Sequence, residues 1–283
     1  MAKITMLIII TTMVSLTNAQ DNSVAAGDIV EKIKSHITAS WAEETVDTFK
    51  SGEANSRISG IATTFLANLD VLQRASAKGL NMVITHEPTF YNHFDEKERY
   101  GDDPVLEAKL RFIEENNMVV WRFHDHWHMT DPDGIYKGVV DQLNWNDFRK
   151  EKNLFVIPET SLRELAEMLK GVFKIKTMRV IGDPEMRVKN VGVRLGAPGS
   201  MAQIALLKRD DVSVLIGGES PEWETVEYVR DAMAAGMDKA LIFLGHAISE
   251  EPGMAYCAEW LKEFITEVPV EFIPAKEPFW APD

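Results

Sequence analysis

A chain of 283 residues with 45% hydrophobic content can bury one large core or two smaller lobes, and nothing in its composition suggests disorder. Its 44 acidic and 30 basic residues give a formal charge of -14. No Lys/Arg cluster offsets that balance, which argues against nucleic-acid binding, because phosphate contacts need cations gathered on one face.

At the N-terminus, Lys3, the apolar run Met6 to Val14 and the small residues Thr17-Asn18-Ala19 before Gln20 have the form of a secretory signal peptide, residues 1–19. The expectation is an exported chain, periplasmic or secreted. The apolar run is too short to span a bilayer as a helix, and no later segment reaches the ~20 apolar residues that spanning needs. Cys257 is the only cysteine, so no intramolecular disulfide can form; in Ala255-Tyr256-Cys257-Ala258 it reads as a small buried side chain.

Apolar strand-like runs then alternate with amphipathic helical stretches, the pattern of an α/β protein with mixed sheets covered by helices. The predicted elements are a strand over Ile58 to Thr64, a helix over Asp70 to Ala77, and a strand over Asn81 to Thr85. A helix over Pro104 to Glu115 and a strand over Met118 to Phe123 follow. Ser161 with Glu164 forms a capping box opening a helix to Lys170. Strands are expected over Thr177 to Ile181, Asn190 to Leu195 and Val212 to Ile216, then a helix over Pro221 to Ala234 with proline at its start. Lys239 to Leu244 is the next strand, a helix opens near Ser249 and Pro252, and Val270 to Ile273 closes the chain. The central segment, about 150–210, carries no histidine, so a two-lobed arrangement with the ends meeting is expected for residues 20–283.

The chemistry lies in three histidine clusters, each closing an apolar run and flanked by carboxylates; His93 follows the first at a short distance, and His36 lies far from all three. These are His86-Glu87, His124-Asp125-His126-Trp127-His128, and His246 with Ser249-Glu250-Glu251. In α/β sheets the carboxyl ends of strands are where active sites collect. His246 and Glu250, four apart, share one side if the turn is helical. Pro88 forces an extended or turning backbone at Glu87, so the His86-Glu87 pair can reach one ion or two. If residues 124 to 128 are extended, His124, His126 and His128 share a face opposite Asp125 and Trp127; in a turn the grouping changes. Imidazole mixed with carboxylate suits Zn, Mn, Fe or Co better than Mg or Ca. Three clusters supply enough ligands for two ions, which typically activate a water for hydrolysis. Phe90, Tyr91, Trp127 and Trp145 offer a platform for a ring substrate, although packing in the core is the commoner use of such residues. A barrel of the amidohydrolase type is disfavoured, because the chain is short and its His-x-His arrives late.

The motifs resemble those of the Nif-three-like proteins, also called type-two GTP cyclohydrolase I-like or dinuclear-metal-centre proteins. Thr85-His86-Glu87-Pro88 resembles that family's Thr-His-His-Pro, and Gly245-His246-Ala247-Ile248-Ser249-Glu250 resembles its Gly-His-x-x-[Ser/Thr]-Glu. Val180-Ile181-Gly182-Asp183-Pro184 and Leu215-Ile216-Gly217-Gly218-Glu219 resemble its valine-glycine-aspartate segment and Thr-Gly-Glu turn. The resemblance implies a two-lobed α/β fold, a dinuclear metal site between the lobes and a toroidal homohexamer. It carries ligands onto His86, His246 and Glu250. Glu87 stands where the family has its second His, and His128 where a His-x-x-x-Asp motif starting at His124 would end in aspartate. One histidine is thus exchanged for a carboxylate and one carboxylate for a histidine, so the ligand mix survives. The expected ligands are therefore His86, Glu87, His124, His128, His246 and Glu250, with Asp125, His126 and Glu219 as candidates for proton transfer. The functional expectation is a metal-dependent hydrolase of a small molecule; the competing one is a metal-binding or metal-buffering protein without turnover. GTP is a poor fit for an exported chain that lacks a Gly-rich, Lys-bearing phosphate loop.

Overall fold

The structure, a computed structural model, describes residues 24–282; residues 1–19, expected to be a signal peptide, lie outside them. A two-residue strand β1 (Val24–Ala25) leads into α1 (Ala26–His36), followed by β2 (Phe49–Ser51), β3 (Arg57–Ile58), β4 (Ile61–Leu66), α2 (Leu69–Ala77), β5 (Met82–Glu87), α3 (Pro104–Glu115), β6 (Val119–Arg122), α4 (Asp125–Met129) and α5 (Gly134–Leu143). The chain then builds β7 (Arg149–Glu151), β8 (Leu154–Ser161), α6 (Leu162–Phe173), β9 (Arg179–Ile181), β10 (Arg187–Arg194), α7 (Ser200–Leu207), β11 (Val214–Gly217), α8 (Glu227–Ala234) and β12 (Ala240–Phe243). It returns through α9 (His246–Lys262) to β13 (Val270–Phe272).

Two mixed sheets result. The first has the order β13-β4-β5-β6-β2, parallel except for β2; the second has the order β7-β8-β10-β11-β12-β9, with β10, β11 and β12 parallel. The second sheet draws its strands from Arg149 to Phe243, so it extends well past the expected central segment. Two open sheets also dispose of the barrel alternative.

Both faces of the parallel strands are covered, which explains why they read as apolar runs rather than as alternating patterns. Along β5 and β6, Met82, Ile84, Val119 and Trp121 face the central core, while Val83 and Val120 face an outer layer with Val71, Leu72, Leu106 and Ile113 of α2 and α3. In the second sheet Val214, Ile216 and Ile242 point to the same central core, and Leu215 and Leu241 meet Leu207 of α7 and Val229 of α8. Helices α1, α5, α6 and α9 contribute buried residues to the same central core.

The helix ends follow local chemistry. Asn68 caps α2, Asp103 with Pro104 opens α3, and Ser161 and Glu164 complete the expected capping box at α6. Three expectations shift. The strand foreseen over Ile58 to Thr64 is interrupted at Ser59-Gly60, where a Cβ on Gly60 would meet Leu80 at 2.6 Å, and it resumes only at Ile61. The helix foreseen from Pro221 begins as a π-helical turn, Glu222–Val226, before α8. Helix α9 opens earlier than Ser249, at His246, because Gly245 (φ 91°) turns the chain directly off β12; Pro252 sits inside the helix and forfeits one backbone hydrogen bond.

Close backbone contact locks α9 against α5. A Cβ on Gly138 would lie 2.3 Å from the Pro252 carbonyl oxygen, and one on Gly253 would lie 2.4 Å from Ile135 Cα. Thr63 of β4 donates to the Met254 carbonyl oxygen at 2.8 Å, tying the same helix to the first sheet.

Candidate metal centre

Residues from both sheets meet where the parallel strands end. His86 and Glu87 close β5, and His124 follows β6 through Phe123. His246 follows β12 through Leu244-Gly245 and forms the first turn of α9, which carries Glu250 one turn on. The 124–128 run is not extended: His124 is the N-cap of α4, so His124 and His128 share one side of a helical turn while His126 turns to the other. The reason lies in Asp47, which accepts from the backbone N–H groups of His124 (2.6 Å), Asp125 (3.0 Å) and His126 (2.9 Å), satisfying the open end of a short helix from a distant loop.

Four imidazoles have their Nδ1 atoms engaged by the surrounding protein. His86 Nδ1 donates to the Phe123 carbonyl oxygen (3.2 Å). His124 Nδ1 meets Asp125 Oδ1 (2.8 Å), His128 Nδ1 meets Asp133 Oδ2 (3.2 Å), and His246 Nδ1 meets Glu219 Oε1 (3.3 Å). Their Nε2 atoms converge on two carboxylates. Glu87 Oε1 lies 3.6 Å from His124 Nε2 and 3.5 Å from His246 Nε2. Glu250 Oε2 lies 3.1 Å from His246 Nε2 and 3.5 Å from His86 Nε2, and Glu250 Oε1 lies 3.9 Å from His128 Nε2. The structure thus brings all six expected ligands into one site.

Two overlapping groups of ligand atoms lie within 4.8 Å of one another: His86, His124 and His128, and His86, Glu87 and Glu250. His86 belongs to both. Its Nε2 is fully buried and has no hydrogen-bond partner, although an unsatisfied polar atom in a protein interior is costly. A lone pair held in that position suits a metal ion, and the occupied Nδ1 atoms fix the tautomers that such binding requires. The residues present fit a divalent transition metal.

Charge in the site is uneven. Burial, followed by the neighbouring His128 and His124, pushes the His86 imidazole well below its usual range, so it is neutral and its approach to Glu250 is not an ion pair. Burial alone would lower His246 too, but hydrogen bonds to Glu219, Glu250 and Glu87 outweigh it and push this imidazole up to about 12. His128 is raised, with burial opposed by Asp133 and by the charges of Glu250 and Glu87. Glu87 is held below the usual carboxylate range; His246, His124 and Arg122 overcome its burial.

The three candidates for proton transfer separate. His126 is buried and faces away from the ligand cluster: its ring stacks on Trp41 at 3.7 Å, Nδ1 meets Asp47 Oδ2 at 2.7 Å, and Nε2 accepts from the Ala42 N–H at 2.9 Å. With both nitrogens committed, it serves as structure. Asp125 orients His124 and accepts from Thr45 Oγ1 and the Val46 N–H; burial is outweighed by these bonds, which hold its carboxyl down at about 2. Glu219, more than half exposed, is the one of the three that reaches the open side of the site. Sequence reading missed Asp47, Asp133 and the buried Arg122. Asp133 was visible only as an Asp-Gly helix start and indeed caps α5, accepting from the Ile135 and Tyr136 N–H groups. Asp47 and Arg122 carry no local signal.

A cleft of about 650 Å³ opens beside the site, with Glu87, Glu219 and His246 in its lining together with Phe65, Tyr91 and Phe279. Of the foreseen aromatic platform, Phe90, Trp127 and Trp145 are core residues, and only Tyr91 reaches this cleft. Cys257 is buried, and burial pushes its thiol up, which leaves it inert.

Comparison with known proteins agrees with this fold. Residues 24–278 match the family model for Duf34/NIF3 (NGG1p interacting factor 3). A Clostridium acetobutylicum protein named GTP cyclohydrolase 1 type 2 homolog is 26% identical over 224 residues, 75% of this chain and 79% of its own length. Among solved structures, a Bacillus cereus protein related to NIF3 superposes with a TM-score of 0.71 at 13% identity, covering 90% of this chain and 98% of that one. A Staphylococcus aureus protein gives 0.70 at 13% identity, covering 91% and 99%. At such identities the structures establish a shared fold.

Proposed function

The chain belongs to the Duf34/NIF3 family, and from that premise we propose that it is an exported, metal-dependent hydrolase of a small molecule. The observation that carries the reading is the convergence of four Nε2 atoms on Glu87 and Glu250, with His86 Nε2 buried and unpartnered. His86, Glu87, His124, His128, His246 and Glu250 would hold one or two ions of Zn, Mn, Fe or Co. Such an ion supplies a polarised substrate oxygen and a water acidic enough to attack near neutral pH.

The chain's own residues do the rest. Asp133, Asp125 and the Phe123 carbonyl hold three imidazoles in the tautomer that presents Nε2. Glu219 is ionised at neutral pH, because its bond to His246 outweighs partial burial, and it stands where the cleft meets the site. It accepts the proton released when water attacks and returns one to the leaving group. The cleft is what favours an enzyme over a metal buffer, since a storage site needs a filled shell while a catalyst keeps an open position.

Screening the zinc- and manganese-loaded chain against simple esters, amides and phosphate esters tests this. Turnover abolished by a chelator and reduced about 100-fold in Glu219→Gln is expected, within the range of general base contributions. Turnover that survives chelation contradicts the mechanism. Export through residues 1–19 and a homohexamer belong to the same proposal, supported by the signal-like N-terminus and the family resemblance. A mature chain starting at Gln20 and a six-chain mass by light scattering are the expected results.

A further inference from the structure

Behind Glu87 lies a buried guanidinium. Arg122, the last residue of β6, sits in register with Thr85 of β5 and is wholly buried. Its Nε donates to the His86 carbonyl oxygen at 3.1 Å and its Nη1 to the His93 carbonyl oxygen at 2.5 Å, so it grips the loop that follows β5 at both ends. Nη1 lies 3.8 Å from Asp95 Oδ2, whose other oxygen accepts from the Thr89 and Phe90 N–H groups. Lys50 shares Asp95 at 3.4 Å. Nη2 is buried without a hydrogen bond and lies 3.6 Å from Glu87 Oε2.

The two oxygens of Glu87 are therefore divided. Oε2 faces Arg122, while Oε1 faces His124 and His246. A carboxylate free to rotate could offer an ion either oxygen or both; one turned toward a fixed cation offers a single oxygen in a set direction. A guanidinium buried with its fork pinned by two carbonyls is rigid in a way a lysine ammonium is not. The local charges also match: Lys50 and Arg122 face Asp95 and Glu87, so a neutral side chain at 87 would leave Asp95 alone to balance two buried cations, which is unfavourable.

We propose that Arg122 is the positioning residue that makes a glutamate usable at 87, holding Oε2 so that Glu87 binds metal through Oε1 alone. This rests on the metal reading above and goes beyond it by assigning a role to a residue that touches no ion. The residues at 87 and 122 then form one unit: histidine at 87 is incompatible with arginine at 122 and compatible with an uncharged residue there.

The experiment loads the full chain with Co(II) alone, which reports coordination through its visible spectrum, and measures stoichiometry and affinity by competition with a chelator. Arg122→Met, Arg122→Lys, Glu87→His and the double variant Arg122→Met/Glu87→His are compared, each checked for folding by circular dichroism. Arg122→Met is expected to lose 10- to 100-fold in Co(II) affinity, the usual effect of removing a group that orients a ligand, and to change the visible bands. Arg122→Lys is expected to recover only part of this. Glu87→His is expected to bind at least about tenfold more weakly, with the double variant returning close to the parent. Unchanged affinity and spectrum in Arg122→Met overturns the proposal. If that variant does not fold, Glu87→His decides: parental affinity with Arg122 in place overturns it. Failure of the parent chain to bind Co(II) would instead overturn the metal reading itself.

Discussion

Two strand-to-helix turns build most of the site, and both use a spacing of four. After β6, His124 caps the five-residue helix α4 and His128 lies within it; after β12, His246 and Glu250 open the 17-residue helix α9. The first turn is held by polar groups: Asp47 takes three backbone amides and His126, and Asp133 takes His128. The second is held by packed backbone. Gly196 (φ 64°) approaches so closely that a Cβ there would lie 2.1 Å from Glu250 Oε1, and Ser249 Oγ accepts from the Gly196 N–H. A short helix has too little buried surface to fix itself and needs hydrogen bonds from outside, whereas a long one clamped at Gly138 and Gly253 is fixed by shape.

This contrast can be broken on either side. The largest effect is expected from Asp47→Ala, which strands three amides and an imidazole in the interior. A loss of about 3–5 kcal/mol in unfolding free energy should appear by denaturant titration, and metal binding should fall with it. A loss below about 1 kcal/mol would mean that α4 supports itself. Next comes Gly196→Val, which adds a side chain at positive φ into Glu250. About 2–3 kcal/mol is expected, together with weakened metal binding through displacement of Glu250. Asp133→Asn keeps the α5 cap and changes only the partner of His128; a 10- to 100-fold loss of metal affinity with little change in stability is expected from competition with a chelator.

A smaller and purely protonic contrast sharpens the comparison. With no metal bound, His86 is neutral, while His246 keeps a proton until about pH 12. Because the folded value of His246 lies above the unfolded one, the stability it contributes is present below about pH 6.5 and is lost as pH rises toward 12. Metal must displace this proton, so affinity should rise with pH between 6 and 9. Calorimetry of metal binding to the parent chain at pH 7, in buffers of different ionisation enthalpy, should show proton release. Absence of proton release would mean that His246 carries no proton for the metal to displace.

The sequence showed the ends of this site better than its middle. Thr85-His86-Glu87-Pro88 and Gly245-His246 were legible because a buried parallel strand announces itself as an apolar run, and three such runs each end at a histidine near a carboxylate in motifs that resemble one family's. The helical turn at 125–129 was not legible, since Trp127 and Phe123 fit an extended alternation equally well and the deciding group, Asp47, lies 77 residues before His124. His126 read as a candidate for proton transfer for the same reason, since its local sequence does not show Asp47 and the Ala42 N–H taking both ring nitrogens. Arg122 read as part of a strand whose other residues are apolar; only the folded loop shows what its charge faces.

The account rests on six side chains forming one metal centre rather than three separate clusters. Elemental analysis of the untagged chain, purified without added metal, tests that most directly when run beside His86→Ala and His246→Ala. About two transition-metal equivalents per chain are expected for a two-ion site, lost in both variants, because His86 belongs to both ligand groups and His246 holds Glu87 to Glu250. Absence of metal in the parent chain, before and after incubation with Zn, Mn, Fe or Co, would contradict it, and so would metal content that either variant leaves unchanged.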